Sequence, residues 1–274
     1  MVDIFFIIYS LIIYITYPLG IFSVILAQYK IPTLIQYGKT LTTFKQKNTN
    51  PIMNILFNLQ VNRKWFIHFY IISSVLSGLN SFFEYKYSDS NNLQITINNL
   101  YFIHSMRRLI ETNFQNKKSI KTSYMNISHY LVGLWLYINF NYLQFYTKIL
   151  PLIRNKNIIE KSVNPLLIIL FLFLQYLQTI HHNHLRSLVK YSIPYKHLFK
   201  YVYSPHYFVE ILIYLNLMII DNFSIITILP FVWTLINLSV SAKNTENWYI
   251  QKFGIKKKDN INSNNKKSII PFLI

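Results

Sequence analysis

Long apolar runs alternate with short polar connections along most of this chain. Residues 4–27 carry no charged side chain, and a helix of that length can cross a hydrocarbon layer about 30 Å thick. Residues 201–242 contain only two charges, Glu210 and Asp221, and are long enough for two passages. The pattern predicts seven membrane helices, at about residues 4–27, 65–83, 95–112, 124–147, 162–180, 206–220 and 223–242.

The expected fold is therefore all-α, a polytopic transmembrane bundle of about seven (six to seven) helices in a single membrane domain, residues 1–274. The third helix has the weakest signal, because Arg107, Arg108 and Glu111 lie near its end. The first run could instead be a signal peptide. It lacks a basic leader and is longer than such a peptide needs, which favours a retained helix.

The basic residues indicate how the chain is oriented. Lys and Arg total 27 against nine Asp and Glu, a net charge of +18. Loops 30–64, 113–123, 181–204 and 243–274 hold six, three, four and seven of them, whereas loops 84–94 and 148–161 hold one and four. The positive-inside rule predicts a lumenal or external N-terminus and a cytosolic C-terminus. Loop charges of this kind indicate anionic headgroups or a phosphorylated ligand rather than nucleic acid.

Several kinds of site are excluded or disfavoured. The chain has no cysteine, so disulfides, thiolate metal sites and a catalytic thiol are absent. There is no G-x-G-x-x-G or Walker motif, which argues against a Rossmann domain. His181 and His184 have the spacing of a metal half-site, but no carboxylate lies nearby in sequence, so no metal is expected.

Ionisable residues inside apolar helices are the best candidates for function. In "HSMRRLIE", residues 104–111, the polar side chains fall three and four apart and share one helical face: His104, Arg107, Arg108 and Glu111. One interpretation is an arginine pair that reaches the membrane surface, with Glu111 as its counter-ion. The other is the basic wall of a cavity that receives phosphates or a carbonyl oxygen.

Two later segments carry similar chemistry. Residues 181–201 combine histidines with Arg186, Lys190 and several tyrosines, which suits an anionic, aromatic ligand such as a nucleotide or, more simply, an interfacial basic loop. In "YVYSPHYFVE", Pro205 predicts a helix start. Tyr203 and His206 then lie near that start, and Glu210 follows His206 by one turn on the same face.

The segment "YSIPYKHLFKYVYSPHYFVEILIYL" resembles the signature of the steroid 5-alpha-reductase family, and most closely its polyprenol reductase branch. "VNRKWFIHFY", at residues 61–70, and "HSMRRLIE" are similar to two other motifs of that branch. "WYIQKFG" and "KKSIIPFLI" are similar to the family's ending. The resemblance covers about residues 60–274, so residues 61–274 form the expected reductase core and residues 1–60 a poorly matched helix and loop.

The resemblance implies NADPH-dependent reduction of a carbon–carbon double bond conjugated to a carbonyl, in the endoplasmic reticulum membrane. In the polyprenol branch the substrate is the α-isoprene unit of a long-chain polyprenol or polyprenal, and the product supplies dolichol for protein N-glycosylation. The expected cofactor site lies in residues 181–274. The candidates there are Lys190, Tyr191, Tyr203, His206, Glu210 and Tyr249. The polar face of the third helix, His104 to Glu111, is the expected catalytic face, and Trp65 and His68 match the substrate-side pattern.

Three positions depart from the family pattern. Lys196-His197 stands where the family has a glycine pair, and Glu246 stands where a histidine is frequent. Ser105 stands where the steroid branch has tyrosine, which disfavours a steroid substrate. The alternatives are another enzyme of this architecture, namely a steroid or enoyl-CoA reductase or an isoprenylcysteine-type methyltransferase, and a non-catalytic transporter or scaffold.

Overall fold

A computed structural model describes residues 2–30, 58–88, 96–118, 123–154, 163–189, 192–254 and 266–269. Within these ranges seven long helices follow one another. They are α1 (Val2–Lys30), α2 (Phe66–Tyr87), α3 (Ile97–Lys118), α4 (Ile127–Gln144), α5 (Pro165–Ser187), α6 (Pro205–Ile220) and α7 (Ile225–Phe253). Each helix overlaps one predicted span, so the all-α bundle is confirmed.

The helices differ in how well they suit a membrane. Four segments are long and apolar enough to cross it: Phe6–Lys30, Arg63–Tyr87, Pro165–Ser187 and Ile225–Phe253. Helix α6 is apolar but shorter. The outward face of α1 exposes many large apolar side chains, such as Ile8, Leu11 and Phe22, as expected for contact with lipid. The chain is a multi-pass membrane protein.

A pair of short strands fixes the starts of two helices. Strands β1 (Gln60–Asn62) and β2 (Tyr124–Asn126) pair antiparallel. Strand β2 directly precedes α4, and β1 precedes a 3-10 turn, Arg63–Trp65, that leads into α2. Asn62 Oδ1 accepts a hydrogen bond from the backbone N–H of Lys64, and Asn126 Oδ1 accepts one from that of Ser128, each at 2.9 Å. These bonds satisfy N–H groups that a helix start leaves free. Both helices therefore begin at the same end of the bundle.

The opposite end is held by an ion pair. Helix α4 continues through a π-helical stretch, Phe145–Ile149, into the short helix Leu150–Ile153. Lys148 in that stretch pairs with Asp221, which follows α6. The second carboxylate oxygen of Asp221 accepts a hydrogen bond from Thr227 Oγ1 at 3.2 Å. The pair therefore connects α4 to the turn between α6 and α7.

Two glycines allow close contacts between helices. A methyl group added at Gly20 of α1 would lie 2.5 Å from the indole ring of Trp233 on α7, and one at Gly133 of α4 would lie 2.7 Å from the ring of Phe69 on α2. Both distances are shorter than real carbon–carbon contacts, so neither position has space for a larger residue. Helix α1 is thus packed directly against α7 at Trp233.

The C-terminal residues 266–269 pack against the bundle. Lys267 exchanges backbone hydrogen bonds with Tyr201 and Tyr203, at 3.0 and 2.9 Å. Ile269 is buried beside Ile211 and Ala242. The Asn/Lys-rich composition of residues 255–268 predicts a disordered insertion, and the apolar end that follows, "SIIPFLI", predicts docking on the bundle or interface. The prediction of disorder was wrong for residues 266–268, because their backbone pairing and the burial of Ile269 fasten them, while residues 255–265 lie outside the described residues.

Candidate active site

The polar face of α3 meets a polar face of α5. Arg107 Nε donates a hydrogen bond of 2.6 Å to Gln175 Oε1, and Arg107 also contacts Gln178 and Glu111. His104 Nδ1 lies 3.2 Å from the same Gln175 oxygen. The predicted grouping on one helical face is therefore confirmed, and that face points at α5 rather than at the membrane surface.

Glu111 is the anionic centre of this contact. Its carboxylate is buried and lies 2.9 Å from the guanidinium of Arg108 and 2.7 Å from His182 Nδ1. It also pairs with Arg107 and accepts a hydrogen bond from Thr179 Oγ1 at 2.9 Å. A buried carboxylate is stable only when charges or donors surround it. Glu111 therefore holds the two arginines in place as well as balancing their charge.

Glu210, on α6, is satisfied from two other helices. Its Oε1 lies 3.4 Å from Nε2 of the buried His104, and Gln178 Nε2 donates to its Oε2. Gln178 Nε2 also reaches the backbone carbonyl of His206 at 3.3 Å. Because Gln178 also contacts Arg107, it connects the cluster on α3 to the start of α6.

The partner residues on α5 were not singled out from the sequence. They are Gln175, Gln178, Thr179 and His182, spaced by three, one and three in the second half of the helix. That spacing places them on one face and was a usable signal. Their partners could not be assigned, however, because the sequence alone does not say which helix faces which.

A cavity of about 300 Å³ lies among α2 to α7 and contains much of this cluster. Its polar middle is lined by Tyr70, Arg108, Glu111, Gln178, His206 and Glu210. Its inner part is lined by Leu136, Tyr137, Tyr214, Trp233 and Leu238. Leu136 and Tyr214 lie roughly 13 Å inside the starts of α4 and α6, at the helical rise per residue. The cavity therefore extends from one end of the bundle into its apolar interior.

The entrance of the cavity is basic. Arg63, Lys64 and Arg186 line it at the end where α2, α4 and α6 begin, which we call the basic end. Arg186 Nε is buried and has no hydrogen-bond partner among the described residues, and its guanidinium lies 5.9 Å from the centre of the Phe114 ring. Cations near a cavity mouth suit an anionic group such as a phosphate.

Two predicted cofactor residues form a separate cluster. The rings of Tyr203 and Tyr249 stack with their centres 5.7 Å apart. Lys266 Nζ lies 5.9 Å from the Tyr203 ring centre and donates a hydrogen bond to the carbonyl of Pro194. Burial, followed by the negative charge of Glu246, raises the pKa of Tyr203, and burial lowers the pKa of Lys266. Neither tyrosine is among the residues that line the cavity.

The predicted substrate-side pair lies at another place. His68 Nδ1 is 2.9 Å from the hydroxyl of Tyr130, and the rings of Trp65 and Tyr130 are 5.3 Å apart. Trp65 is exposed. Neither Trp65 nor His68 lines the cavity, although their neighbours Lys64, Phe66 and Tyr70 do.

Three more residues that the sequence singled out are Lys190, Tyr191 and His184. Lys190 and Tyr191 lie outside the described residues. His184 Nε2 accepts hydrogen bonds from the backbone N–H groups of Tyr195 and Lys196, at 3.3 and 3.2 Å, so it holds the following loop. No group of three or more His, Cys, Asp or Glu that could bind a metal occurs in the part of the chain that the structure describes.

Comparison with known proteins identifies the family. The profile of the family described as 3-oxo-5-alpha-steroid 4-dehydrogenase matches residues 116–274. Polyprenal reductase of Saccharomyces cerevisiae is 34% identical over 259 residues, which cover 93% of this chain and 91% of that protein. The chain belongs to the 3-oxo-5-alpha-steroid 4-dehydrogenase family. The predicted membership is confirmed.

Two other relatives are also described as polyprenal reductases. Polyprenal reductase of Drosophila melanogaster is 29% identical over 61% of this chain and 54% of its own length. Polyprenal reductase 1 of Arabidopsis thaliana is 42% identical over 65 residues, 23% of this chain and 20% of that protein. Within the 3-oxo-5-alpha-steroid 4-dehydrogenase family the chain thus falls in the polyprenol reductase branch. The matched profile includes α4 to α7.

Proposed function

We propose that this protein reduces the α,β double bond of polyprenal, saturating the α-isoprene unit of a long-chain polyprenoid with NADPH. The main support is one cavity in which Arg108 and Glu210 lie between the basic entrance and an apolar, aromatic interior. An isoprenoid chain suits that interior, and the polar aldehyde suits the charged residues. The branch membership of the chain points to the same substrate class and favours the aldehyde over the alcohol.

The chemistry requires a positive charge near the carbonyl. When bound, a reduced nicotinamide supplies the hydride for the β-carbon of the enal. Negative charge then accumulates on the carbonyl oxygen, so a fixed cation or donor there lowers the barrier. Arg108 lines the cavity and is held by Glu111, which makes its guanidinium the best-placed group for that oxygen. His104 and Arg107 lie behind it and act by positioning Glu210 and Glu111.

The residues present fit a phosphorylated dinucleotide. Arg63, Lys64 and Arg186 supply charges for its phosphates at the basic end, where Arg186 Nε has no described partner. His206 and Glu210 lie deeper in the same cavity and can orient the nicotinamide. We assign the separate Tyr203–Tyr249 stack, with Lys190 and Tyr191, to the same ligand. Residues 181–274 would thus form most of the cofactor site within a reductase core of residues 61–274.

The proposed location is the endoplasmic reticulum membrane, with the basic end of the bundle and the C-terminus in the cytosol. Four basic loops adjoin that end, as the positive-inside rule requires. NADPH would then reach the cavity from the cytosol while the lipid chain occupies its apolar part. The product would supply dolichol for protein N-glycosylation.

Purified full-length protein should oxidise NADPH only when polyprenal is added, with the saturated product detected by mass spectrometry. Glu210→Gln should reduce kcat/KM for NADPH about tenfold or more, because it removes a buried charge paired with His104. Its folded yield and melting temperature should stay close to those of the original protein.

The same preparation separates the alternatives. Binding of S-adenosylmethionine without binding of NADPH would identify a methyltransferase and contradict the proposal. Reduction of a steroid enone or an enoyl-CoA in preference to polyprenal would keep the reductase chemistry but change the substrate. Equal loss of folded protein and activity in Glu210→Gln would show a structural role for that residue.

A further inference from the structure

Tyr70 lines the cavity beside Arg108. It lies in the first turns of α2, and its side chain is only 7% exposed. Four tyrosines line the cavity: Tyr70, Tyr137, Tyr207 and Tyr214. Among them, Tyr70 is the one whose hydroxyl has a hydrogen bond from a guanidinium within the described ranges.

Arg108 contacts Tyr70 in two ways. Its Nη2 donates a hydrogen bond of 2.7 Å to the phenol oxygen, and its guanidinium carbon lies 4.9 Å from the centre of the ring. Arg108 is itself fixed by Glu111 at 2.9 Å. A phenol oxygen that accepts from a cation stabilises its own ionised form, because the hydrogen bond strengthens as negative charge develops.

The hydroxyl hydrogen of Tyr70 remains available. Since the oxygen already accepts from Arg108, the O–H group must point elsewhere, and none of the described residues accepts it. A nearly buried O–H without an acceptor loses a hydrogen bond that it would have in water. Here the O–H group lies at the wall of the cavity, where a substrate atom can act as the acceptor of its hydrogen bond.

We infer that Tyr70 is the proton donor of the reaction, an assignment that rests on the proposed function. Addition of hydride to the β-carbon leaves an enolate, whose electron pair then forms a C–H bond at the α-carbon. The Tyr70 O–H bond breaks to supply that proton, and the phenolate that results is stabilised by Arg108. Reprotonation of the phenolate from water restores the enzyme. The product is the saturated aldehyde, with one hydride and one proton added across the double bond.

Other candidates in the cavity fit this role less well. The carboxylates of Glu111 and Glu210 both accept hydrogen bonds and contact basic side chains, so they are arranged as anions. Tyr137 is the nearest rival, with its ring centre 5.7 Å from that of Tyr70. Among the described residues no cation donates a hydrogen bond to Tyr137, so its phenolate would lack the direct hydrogen bond that Arg108 gives to Tyr70.

The test compares Tyr70→Phe with Tyr137→Phe and with Tyr17→Phe, a buried tyrosine of α1 outside the cavity. A short polyprenal and NADPH are supplied to the full chain in D₂O, and the product is trapped at once as the alcohol. Tyr70→Phe should lower kcat about 100-fold or more, the usual range for loss of a general acid. Its dissociation constant for NADPH, measured by fluorescence, should stay within about twofold of the original, since the phenol does not hold the cofactor in this assignment. Tyr17→Phe should retain its activity.

The position of the deuterium distinguishes catalysis from packing. The original protein should place one deuterium at the α-carbon in a single configuration, because one fixed donor delivers it. The residual product of Tyr70→Phe should contain both configurations, because solvent then supplies the proton. A single configuration in Tyr70→Phe, or a rate within threefold of the original, would overturn the inference, as would the larger loss falling on Tyr137→Phe.

A second variant keeps the test decisive if Tyr70→Phe does not fold. Replacement of Tyr70 by a difluorinated tyrosine keeps the shape but makes the phenol more acidic. A donor that must be protonated then loses its proton at lower pH, so the alkaline fall in kcat should move to lower pH. An unmoved profile would contradict the assignment. If the original protein does not reduce polyprenal at all, the proposed function fails, and the inference fails with it.

Discussion

Glu210 shows how a carboxylate can be kept inside an apolar helix. Its two oxygens are occupied by His104 and Gln178, from α3 and α5. Removal of His104 or Gln178 would leave the charged carboxylate buried without compensation, at a cost of several kcal/mol, whereas Glu210→Gln removes the charge itself. The ionised carboxylate is therefore stable only when α3, α5 and α6 are correctly packed.

His197 occupies a backbone conformation that normally favours glycine. Its φ is +54°, and it is the second residue of the pair that replaces two glycines in the family signature. The left-handed region costs a residue with a side chain about 1–2 kcal/mol. The imidazole partly offsets this through edge contacts with His181 and His184, whose ring centres are both 6.2 Å away.

His197→Gly should therefore stabilise the protein, by roughly 1 kcal/mol, because glycine adopts this φ without strain. The measurement is thermal unfolding in detergent micelles with NADPH absent. His197→Ala is the matched control, since it removes the ring but retains the strained backbone, and it should give no gain. An equal gain from alanine would show that the ring, rather than φ, is the unfavourable element.

The sequence predicted one half of the candidate site. The residues from His104 to Glu111 lie within two turns of one helix, so their common face follows from helical geometry alone. Their contacts with Gln175 and His182 involve residues about 70 positions away. Such contacts depend on which helices become neighbours, and hydropathy does not encode that choice.

At the scale of elements, hydropathy predicts helices because a segment that crosses lipid must satisfy its backbone groups internally, and four of the seven helices are apolar enough for that argument. The strand pair β1–β2 was not predicted, since three residues are too few for a recognisable alternation. The apolar end of the chain, "SIIPFLI", predicted docking of the C-terminal segment, but not the partner that receives it. Besides the backbone pairing, a contact with Glu246 holds the segment, because the carboxylate accepts a hydrogen bond from Ser268 and lies 2.7 Å from Lys243 Nζ.

Glu246→Ala should release residues 266–269 from the bundle. The loss of a buried charged acceptor should destabilise this contact by about 1–3 kcal/mol. Hydrogen exchange of the backbone amides of Lys267 and Tyr203, which form the paired contact, should become faster. Lys243→Met, which leaves the Ser268 contact in place, is the control. Unchanged exchange at Lys267 in Glu246→Ala would contradict this role.

At the scale of the whole molecule, the charge distribution predicts an orientation that can be tested cleanly, because the chain has no cysteine. Single cysteines are introduced at Arg154 and Lys252, both exposed and at opposite ends of the bundle. In sealed microsomes, Lys252→Cys should react with a membrane-impermeant maleimide, while Arg154→Cys should react only after permeabilisation. Arg154 lies in the basic loop that departs from the rule, so its labelling is the sharper test. The reverse pattern would invert the proposed topology.

The contact between Gly20 and Trp233 gives α1 an influence that its sequence conceals. None of the α1 side chains that the structure describes lines the cavity, yet the backbone at Gly20 lies against the Trp233 ring, which does. A larger residue at position 20 would push the indole towards the space that the isoprenoid would occupy. Related proteins that differ only in their first helix would therefore differ in the length of the prenyl chain that they accept. The first helix would then influence substrate selection as well as anchoring the protein in the membrane.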